Sequence, residues 1–450
     1  MKRIFEVALG REVYALDVGK CFGVSHGFLW MIYAPLSRCK LIVRKPQLEV
    51  IRERIASGCA SDVTQLLKLD DYTTNTVRPK HHAEFTTLYI IPTHKCNFSC
   101  VYCYSANYRE KKTLSKAAMI TFIEYFLARE SAPKTLKVVF VGGGEPFLAW
   151  NIIVAGVSRI RDLENKFELN VKISIITNVS LLNEAKMEFI KKHRIAITAS
   201  FDILESVQNE QRGHFGLVTG KLKQLDRANI PYQIQTTIMP NSITRMVEMV
   251  RDVAHNYPSA QGIVFEMVRG GDFFKDARDI TEYIKRFATA WSAVQREAAK
   301  CGVKVFNSFF SAKDIIRSCY CGGMYVLTPY ADISVCVHIS HIRQKGYIAR
   351  RIGHVESDGV CIDEQAFSNA YRCAILESEQ CSKCWAKWNC AGGCPNARYM
   401  YNKSILKAIC QNTKKYLLEG LVNDLRVAYA KNHGGSLDQV VVDNYKMENR

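Results

Sequence analysis

Cys96-Asn-Phe-Ser-Cys100-Val-Tyr-Cys103 is the stretch from which the rest of the chain can be read. It stands just past a short apolar run at 88–92 and before a helix-like run at 115–129. Beyond it the pattern repeats. Strand-like runs at 137–141, 171–177, 195–201, 232–239 and 263–268 alternate with helix-like runs at 152–163, 183–193, 218–228, 243–256 and 280–301. Together these make six strand–helix units, which predict a parallel sheet with helices outside. Such an α/β pattern suits an open, partial barrel. A doubly wound sheet is the alternative that periodicity does not separate. In the barrel reading the cysteines lie at the C-terminal end of the first strand, where barrels place their chemistry.

The flanks differ in character. Residues 1–85 stand apart as a small α+β segment, with strand-like runs at 28–33 and 41–44 and a helix-like run at 47–56. A polar linker follows, from Asp70, Asp71 and Tyr72 to Pro79. After Cys301 the alternation stops. Residues 306–415 are rich in cysteine and loops, have little core of their own, and are expected to need metal to fold. A helix-like run at 404–425 follows, and the last twenty residues, with His433, Gly434 and Gly435, are expected to be mobile. The boundaries are thus 1–85, 86–305, 306–415 and 416–450.

With 450 residues, 48% of them hydrophobic, the chain can build about three domains with sizeable cores. No apolar run reaches the ~20 residues that cross a bilayer. The opening MKRIFEVALGREVYALD carries Glu6, Arg11 and Glu12 where a signal peptide would be apolar. A cytoplasmic protein is expected. The net charge of +18 favours anionic partners. No nucleic-acid motif is present, so an acidic peptide, an acidic electron carrier or plain solvation of basic helices accounts for it.

Seventeen cysteines in such a protein read as metal ligands rather than disulfides. Cys96, Cys100 and Cys103 are close enough to hold three irons of a [4Fe–4S] cube and leave the fourth open to a small molecule. A zinc site completed by His94, or buried thiols, is the plainer alternative. The second strand runs Val138-Val-Phe-Val-Gly-Gly-Gly-Glu-Pro146, and glycines at a strand's end allow close approach of backbone to a ligand. A simple tight turn would look the same.

The spacing C-x3-C-x-aromatic-C, with Tyr102 as the aromatic, resembles the cluster motif of the radical S-adenosylmethionine (SAM) superfamily. The resemblance extends over about residues 86–410. It implies a partial (β/α)6 barrel, SAM held on the open iron through its amino and carboxylate groups, and reductive cleavage to methionine and a 5′-deoxyadenosyl radical. It makes Gly142, Gly143, Gly144 and Glu145 the motif that holds the SAM amino group. Thr177 and Asn178 then end strand three. Ser200 and Asp202 match the family's S-x-D segment, with Ile203 where glycine usually stands. Arg212 resembles the arginine that pairs with the SAM carboxylate; an exposed loop arginine is the other reading. Glu266 either faces the cavity or forms a core ion pair.

Cys381-x2-Cys384-x5-Cys390-x3-Cys394, with Cys410 beyond, resembles the SPASM domain of radical SAM maturases. Upstream, Cys321 and Cys336 match its C-x9-15-G-x4-C pattern, with Ala331 in place of the glycine. Carried over, one auxiliary cluster takes Cys381, Cys384, Cys390 and Cys410. The other takes Cys321, Cys336 and Cys394, with Cys319 as fourth ligand. The implied cofactors are SAM and three [4Fe–4S] clusters. Two zinc ribbons are the alternative. Cys21, Cys39, Cys59, Cys301, Cys361 and Cys373 read as ordinary thiols.

Enzymes of this resemblance act mostly on ribosomally made peptides or proteins. In the sulfatase-maturating branch a catalytic aspartate follows the cysteine that matches Cys336; here Val337 and then His338 stand there. That departure argues against formylglycine formation. It favours a precursor-peptide substrate and a thioether or carbon–carbon crosslink, with a flavodoxin- or ferredoxin-type electron donor. Residues 1–85 either hold a leader peptide by strand addition or cap the barrel. A small-molecule or RNA substrate, or a non-catalytic iron–sulfur scaffold, are the rival readings.

Overall fold

A computed structural model describes residues 12–57, 61, 65, 81–129, 133–310, 323–370 and 378–448. The expected linker at 70–79 and Cys59, Cys319, Cys321 and Cys373 lie outside the described residues. Strict alternation in the central strands sets the sheet. Along Asn170–Thr177 the residues Val171, Ile173, Ile175 and Thr177 are buried, and the intervening positions turn the other way. Tyr232–Ile238 repeats the pattern with β-branched and aromatic residues, which suit a pleated, half-covered surface.

The parallel strands are β4 (Thr87–Ile90), β5 (Thr135–Phe140), β6 (Asn170–Thr177), β7 (Ala196–Ser200), β8 (Tyr232–Ile238) and β9 (Ala260–Met267). They lie side by side in sequence order, each parallel to the next. A doubly wound sheet reverses its order at a switch point, so the unreversed order and the open ends make this a partial barrel. The helices between the strands begin on ordinary caps. The Ser115 side chain accepts from Ala118 N at the start of Lys116–Leu127, and Asn183 from Lys186 N at the start of Glu184–Lys192. The longest barrel helix, Ala277–Cys301, runs from Asp276, which caps two amides, to Gly302 in the left-handed region. Leu88, Phe140, Ile173, Ile197, Ile234 and Phe265 are at most 2% exposed beneath these helices. Each such side chain contributes about 1.5–3 kcal/mol of burial.

The sheet does not stop at six strands. Val305–Phe306 (β10) pairs parallel with β9, and Met324–Leu327 (β11) pairs parallel with β4, Tyr325 opposite Leu88. The strands β12 (Asp332–Ser334), β13 (Arg351–Val355) and β14 (Val360–Ile362) then follow antiparallel, giving one eleven-stranded sheet. The cysteine-rich segment is therefore an extension of the barrel sheet. β12 and β13 share the barrel's core, with Ile333 and Ile352 in the same apolar cluster as Leu88.

The N-terminal segment is a three-stranded antiparallel sheet, β1 (Tyr14–Asp17), β2 (Leu29–Ala34) and β3 (Cys39–Arg44), with a helix, Lys45–Ala56. Among the described residues its sheet packs mainly on the C-terminal segment. Tyr14, Leu16, Met31 and Tyr33 pack with Trp385, Ala386, Leu417 and Leu421 of the C-terminal segment. The Tyr33 hydroxyl donates to Asn389 Oδ1 at 2.8 Å, and Lys387 and Trp388 donate to Glu12. Leu36 and, at the end of the segment, Phe85 pack with the barrel core. The expected mobile tail is corrected. Lys403–His433 is one helix of 31 residues, and Leu437–Glu448 is another. The second returns to the N-terminal sheet, where Phe28 meets Tyr445 edge-on at 4.7 Å. The apolar positions Val441 and Tyr445 of that helix find a partner surface, which the sequence pattern alone does not reveal.

Candidate active site and metal centres

The cysteine loop leaves β4 and lies against the end of β5. Glu145 N donates to Lys95 O at 2.8 Å. A Cβ on Gly144 would sit 1.9 Å from Lys95 O, and one on Gly143 would sit 2.5 Å from His94 Cδ2. The glycines are thus required by contact with the loop that carries Cys96. The Glu145 side chain turns inward, 3% exposed. It accepts from Thr177 Oγ1 at 2.5 Å, Asn178 N at 2.8 Å and Phe147 N at 3.0 Å. Burial pushes its carboxyl above the usual range, and those three donors pull it back. Asn178 continues the chain of contacts, its Nδ2 donating to Asn97 Oδ1 inside the cysteine loop at 3.1 Å.

Asp202 follows β7, fully buried. It accepts from the Tyr102 hydroxyl at 2.7 Å, Gln211 Nε2 at 2.8 Å, Arg212 Nε at 3.1 Å, Thr236 Oγ1 at 3.1 Å and Thr237 N at 3.0 Å. Protein donors occupy both of its oxygens, so it acts on the site through Tyr102 and Arg212. The Arg212 guanidinium lies over the Tyr102 ring at 5.1 Å and reaches to 4.0 Å from Cys100 Sγ. Its side chain is 10% exposed, which rules out the exposed-loop reading. Burial alone would lower its pKa; Asp202, Tyr102 and Cys100 outweigh that and keep it charged. Ser200 is half-buried at the end of β7, with no side-chain hydrogen-bond partner among the described residues. Ile203 sits in the left-handed region at φ 67°, fully buried, where the resembling family has glycine.

Burial also raises the Cys96 and Cys100 thiols, opposed by Arg109 for the first and Arg212 for the second. The C-terminal thiols form two groups. Cys390 is pushed up to about 11, by burial first and then by the neighbouring Cys410, Cys384 and Cys381. Cys336, buried, feels Cys394 in addition to its burial, and accepts from Asn396 Nδ2 at 2.6 Å. No three of the described thiols lie within 4.8 Å of one another. Tetrahedral zinc with ~2.3 Å bonds to sulfur would hold its ligands closer than that. An all-thiolate donor set is one that an iron–sulfur cube takes. A cavity of about 190 Å³ opens beside Cys390 and Cys394, walled by Tyr283, Phe310, Tyr401 and Arg269.

Two residues beside the cysteine loop carry little sequence signal beyond their neighbours. Tyr104, next to Cys103, donates to Gly142 O at 3.1 Å and meets His338 edge-on at 4.9 Å. His338 is itself exposed, but desolvation by the neighbouring side chains shifts its imidazole down, with Arg269 adding to the effect. Glu266 accepts from Ser308 Oγ at 2.8 Å and lies 4.0 Å from Arg269, so it belongs to the end of β9 and not to a core ion pair.

Residues 90–253 match the family model described as the radical SAM superfamily. The uncharacterized protein MJ0907 of Methanocaldococcus jannaschii is 31% identical over 165 residues, 35% of this chain and 55% of that protein. The radical SAM cyclopropyl synthase TigE of Paramaledivibacter caminithermalis is 28% identical over 134 residues, 26% of this chain and 27% of that enzyme. The chain thus spans less than two thirds of the length of either relative. Among solved structures, anSMEcpe with bound AdoMet and the Cp18Cys peptide is similar at a TM-score of 0.57 and 18% identity, over 77% of this chain and 99% of that one. SuiB of Streptococcus suis bound to the precursor peptide SuiA is similar at 0.50 and 14%, over 86% of this chain and 97% of that one. At these identities the likeness is one of fold.

Proposed function

We propose, from the premise that residues 90–253 belong to the radical SAM superfamily, that this chain is an enzyme that reductively cleaves SAM and modifies a ribosomally synthesised peptide. The observation that carries the reading is the joint between the cysteine loop and the strand ends. Gly143, Gly144 and Glu145 lock onto His94 and Lys95, and Asn178 locks onto Asn97. In this reading Cys96, Cys100 and Cys103 hold the SAM cluster, and Gly142, Gly143, Gly144, Glu145, Asn178, Ser200 and Arg212 surround SAM. When bound, the cluster and SAM supply the one-electron chemistry that removes a hydrogen atom from the substrate. The chain's own part is placement. Tyr102 and Arg212 are fixed through Asp202, and the Arg212 charge stands ready for a carboxylate. Two auxiliary [4Fe–4S] clusters are assigned to Cys381, Cys384, Cys390 and Cys410, and to Cys319, Cys321, Cys336 and Cys394.

A peptide substrate is supported by the relatives that carry precursor or substrate peptides. It is also supported by Val337 and His338 where sulfatase maturases place aspartate. Crosslinking or related C–H activation fits better than formylglycine formation. The protein is assigned to the cytoplasm, with a flavodoxin- or ferredoxin-type donor; among the described residues no helix is long and apolar enough to cross a membrane. After anaerobic reconstitution about 12 irons per chain are expected, and Cys96→Ala, Cys100→Ala and Cys103→Ala together remove about four and abolish SAM cleavage. Zinc in place of iron and sulfide would sink the reading.

A further inference from the structure

Beside the cysteine loop, but outside its ligand set, two buried histidines face one carboxylate. His94 is 1% exposed and His341 2%, while the Glu110 side chain is 33% exposed and open to solvent. His94 Nδ1 lies 3.5 Å from Glu110 Oε1, and His341 Nε2 lies 3.3 Å from Glu110 Oε2. All three donor atoms fall within 4.8 Å of one another. We propose that His94, Glu110 and His341 form a site for a divalent first-row transition-metal ion, distinct from the cysteine-bound clusters. Two imidazoles and one carboxylate are a donor set that zinc and iron(II) favour.

A second observation points the same way. His341 Nε2 is fully buried and aimed at the carboxylate, and its 3.3 Å approach to Glu110 Oε2 is an ion-pair contact without the geometry of a full hydrogen bond. Buried polar atoms are rarely left so. The surroundings supply the outer contacts that metal-bound groups need. His94 Nε2 faces Ser340 Oγ at 3.4 Å, and the Tyr330 hydroxyl donates to Glu110 Oε1. One contact must change. The Arg343 amide donates to His341 Nδ1 at 3.1 Å, which places the proton on Nε2. Binding moves that proton to Nδ1, gives up the amide bond and frees the Nε2 lone pair. An ion held here would bracket two parts of the molecule. His94 and Glu110 flank the cysteine loop, whereas Tyr330, Ser340 and His341 come from the segment around β12.

The test uses reconstituted holoenzyme with its clusters oxidised and EPR-silent, titrated with Mn2+, which thiolates hold poorly. Loss of the free Mn2+ signal should saturate at one ion per chain, and Zn2+ should displace it. Glu110→Gln and His341→Ala should each weaken binding at least ~10-fold with iron content unchanged. Should either variant lose iron, Tyr330→Phe keeps all three donors and still weakens binding by ~10-fold. No saturable Mn2+ binding, or equal binding in wild type and variants, overturns the proposal and leaves the three residues as a hydrogen-bonded contact.

Discussion

Of the nine non-glycine residues at positive φ among the described residues, Ala331 and Ile203 stand where the resembling motifs have glycine, and they part company on burial. Ala331, at φ 62°, is half-buried in the turn before β12. Left-handed backbone costs an L-residue roughly 1–2 kcal/mol, and glycine returns about half of that as lost chain entropy. Ala331→Gly is therefore expected to stabilise the protein by about 0.5–1 kcal/mol in denaturant unfolding. Ile203 carries the same strain at φ 67° but is fully buried. Removing an isoleucine side chain from a core costs roughly 2–5 kcal/mol. Ile203→Gly should then destabilise, although it restores the residue seen in the resembling motif. Asp202 is the residue on which most depends. Asp202→Asn would leave the Arg212 charge buried without its counter-ion, a loss of about 3–5 kcal/mol. The expected outcome is lower stability together with loss of the iron bound at Cys96, Cys100 and Cys103.

At the scale of elements, the barrel strands were legible because four of the six, β4, β6, β7 and β8, are buried on alternate positions and each is followed by a helix long enough to show its period. The joint at the glycines was legible as a motif and not as a cause. The clash that forbids a side chain on Gly144 comes from Lys95, on another strand's loop. Asp202 was read from its motif as a cofactor contact, but its donors arrive from the cysteine loop, from Gln211 and from β8, and no local pattern announces such a meeting. β10 and β11 escaped notice because they are 2 and 4 residues long. The N-terminal sheet was read as a separate segment, yet Tyr33 and Asn389 share a buried hydrogen bond one residue from Cys390. Deleting residues 1–57 should therefore uncover Trp385 and Ala386 and release about four irons per chain, those of the Cys381, Cys384, Cys390 and Cys410 group. Iron analysis with SAM cleavage as the control decides it; a full iron count would show that the ligand loop stands without this wall.

For the whole molecule, the net charge of +18 favours anionic partners through long-range attraction. The docked N-terminal sheet has a further consequence, which concerns birth on the ribosome and not catalysis. Its apolar face emerges before the residues that cover it, which, as the Tyr33–Asn389 pair shows, are 356 positions later. At 5–20 residues per second that surface waits roughly 20–70 s for its cover. β4 waits likewise for β11 before its edge is paired. Both contacts close the chain over long loops, and such topologies fold slowly. Expression yield in a foreign host should accordingly respond more to co-produced chaperones and slower growth than to any single stabilising substitution.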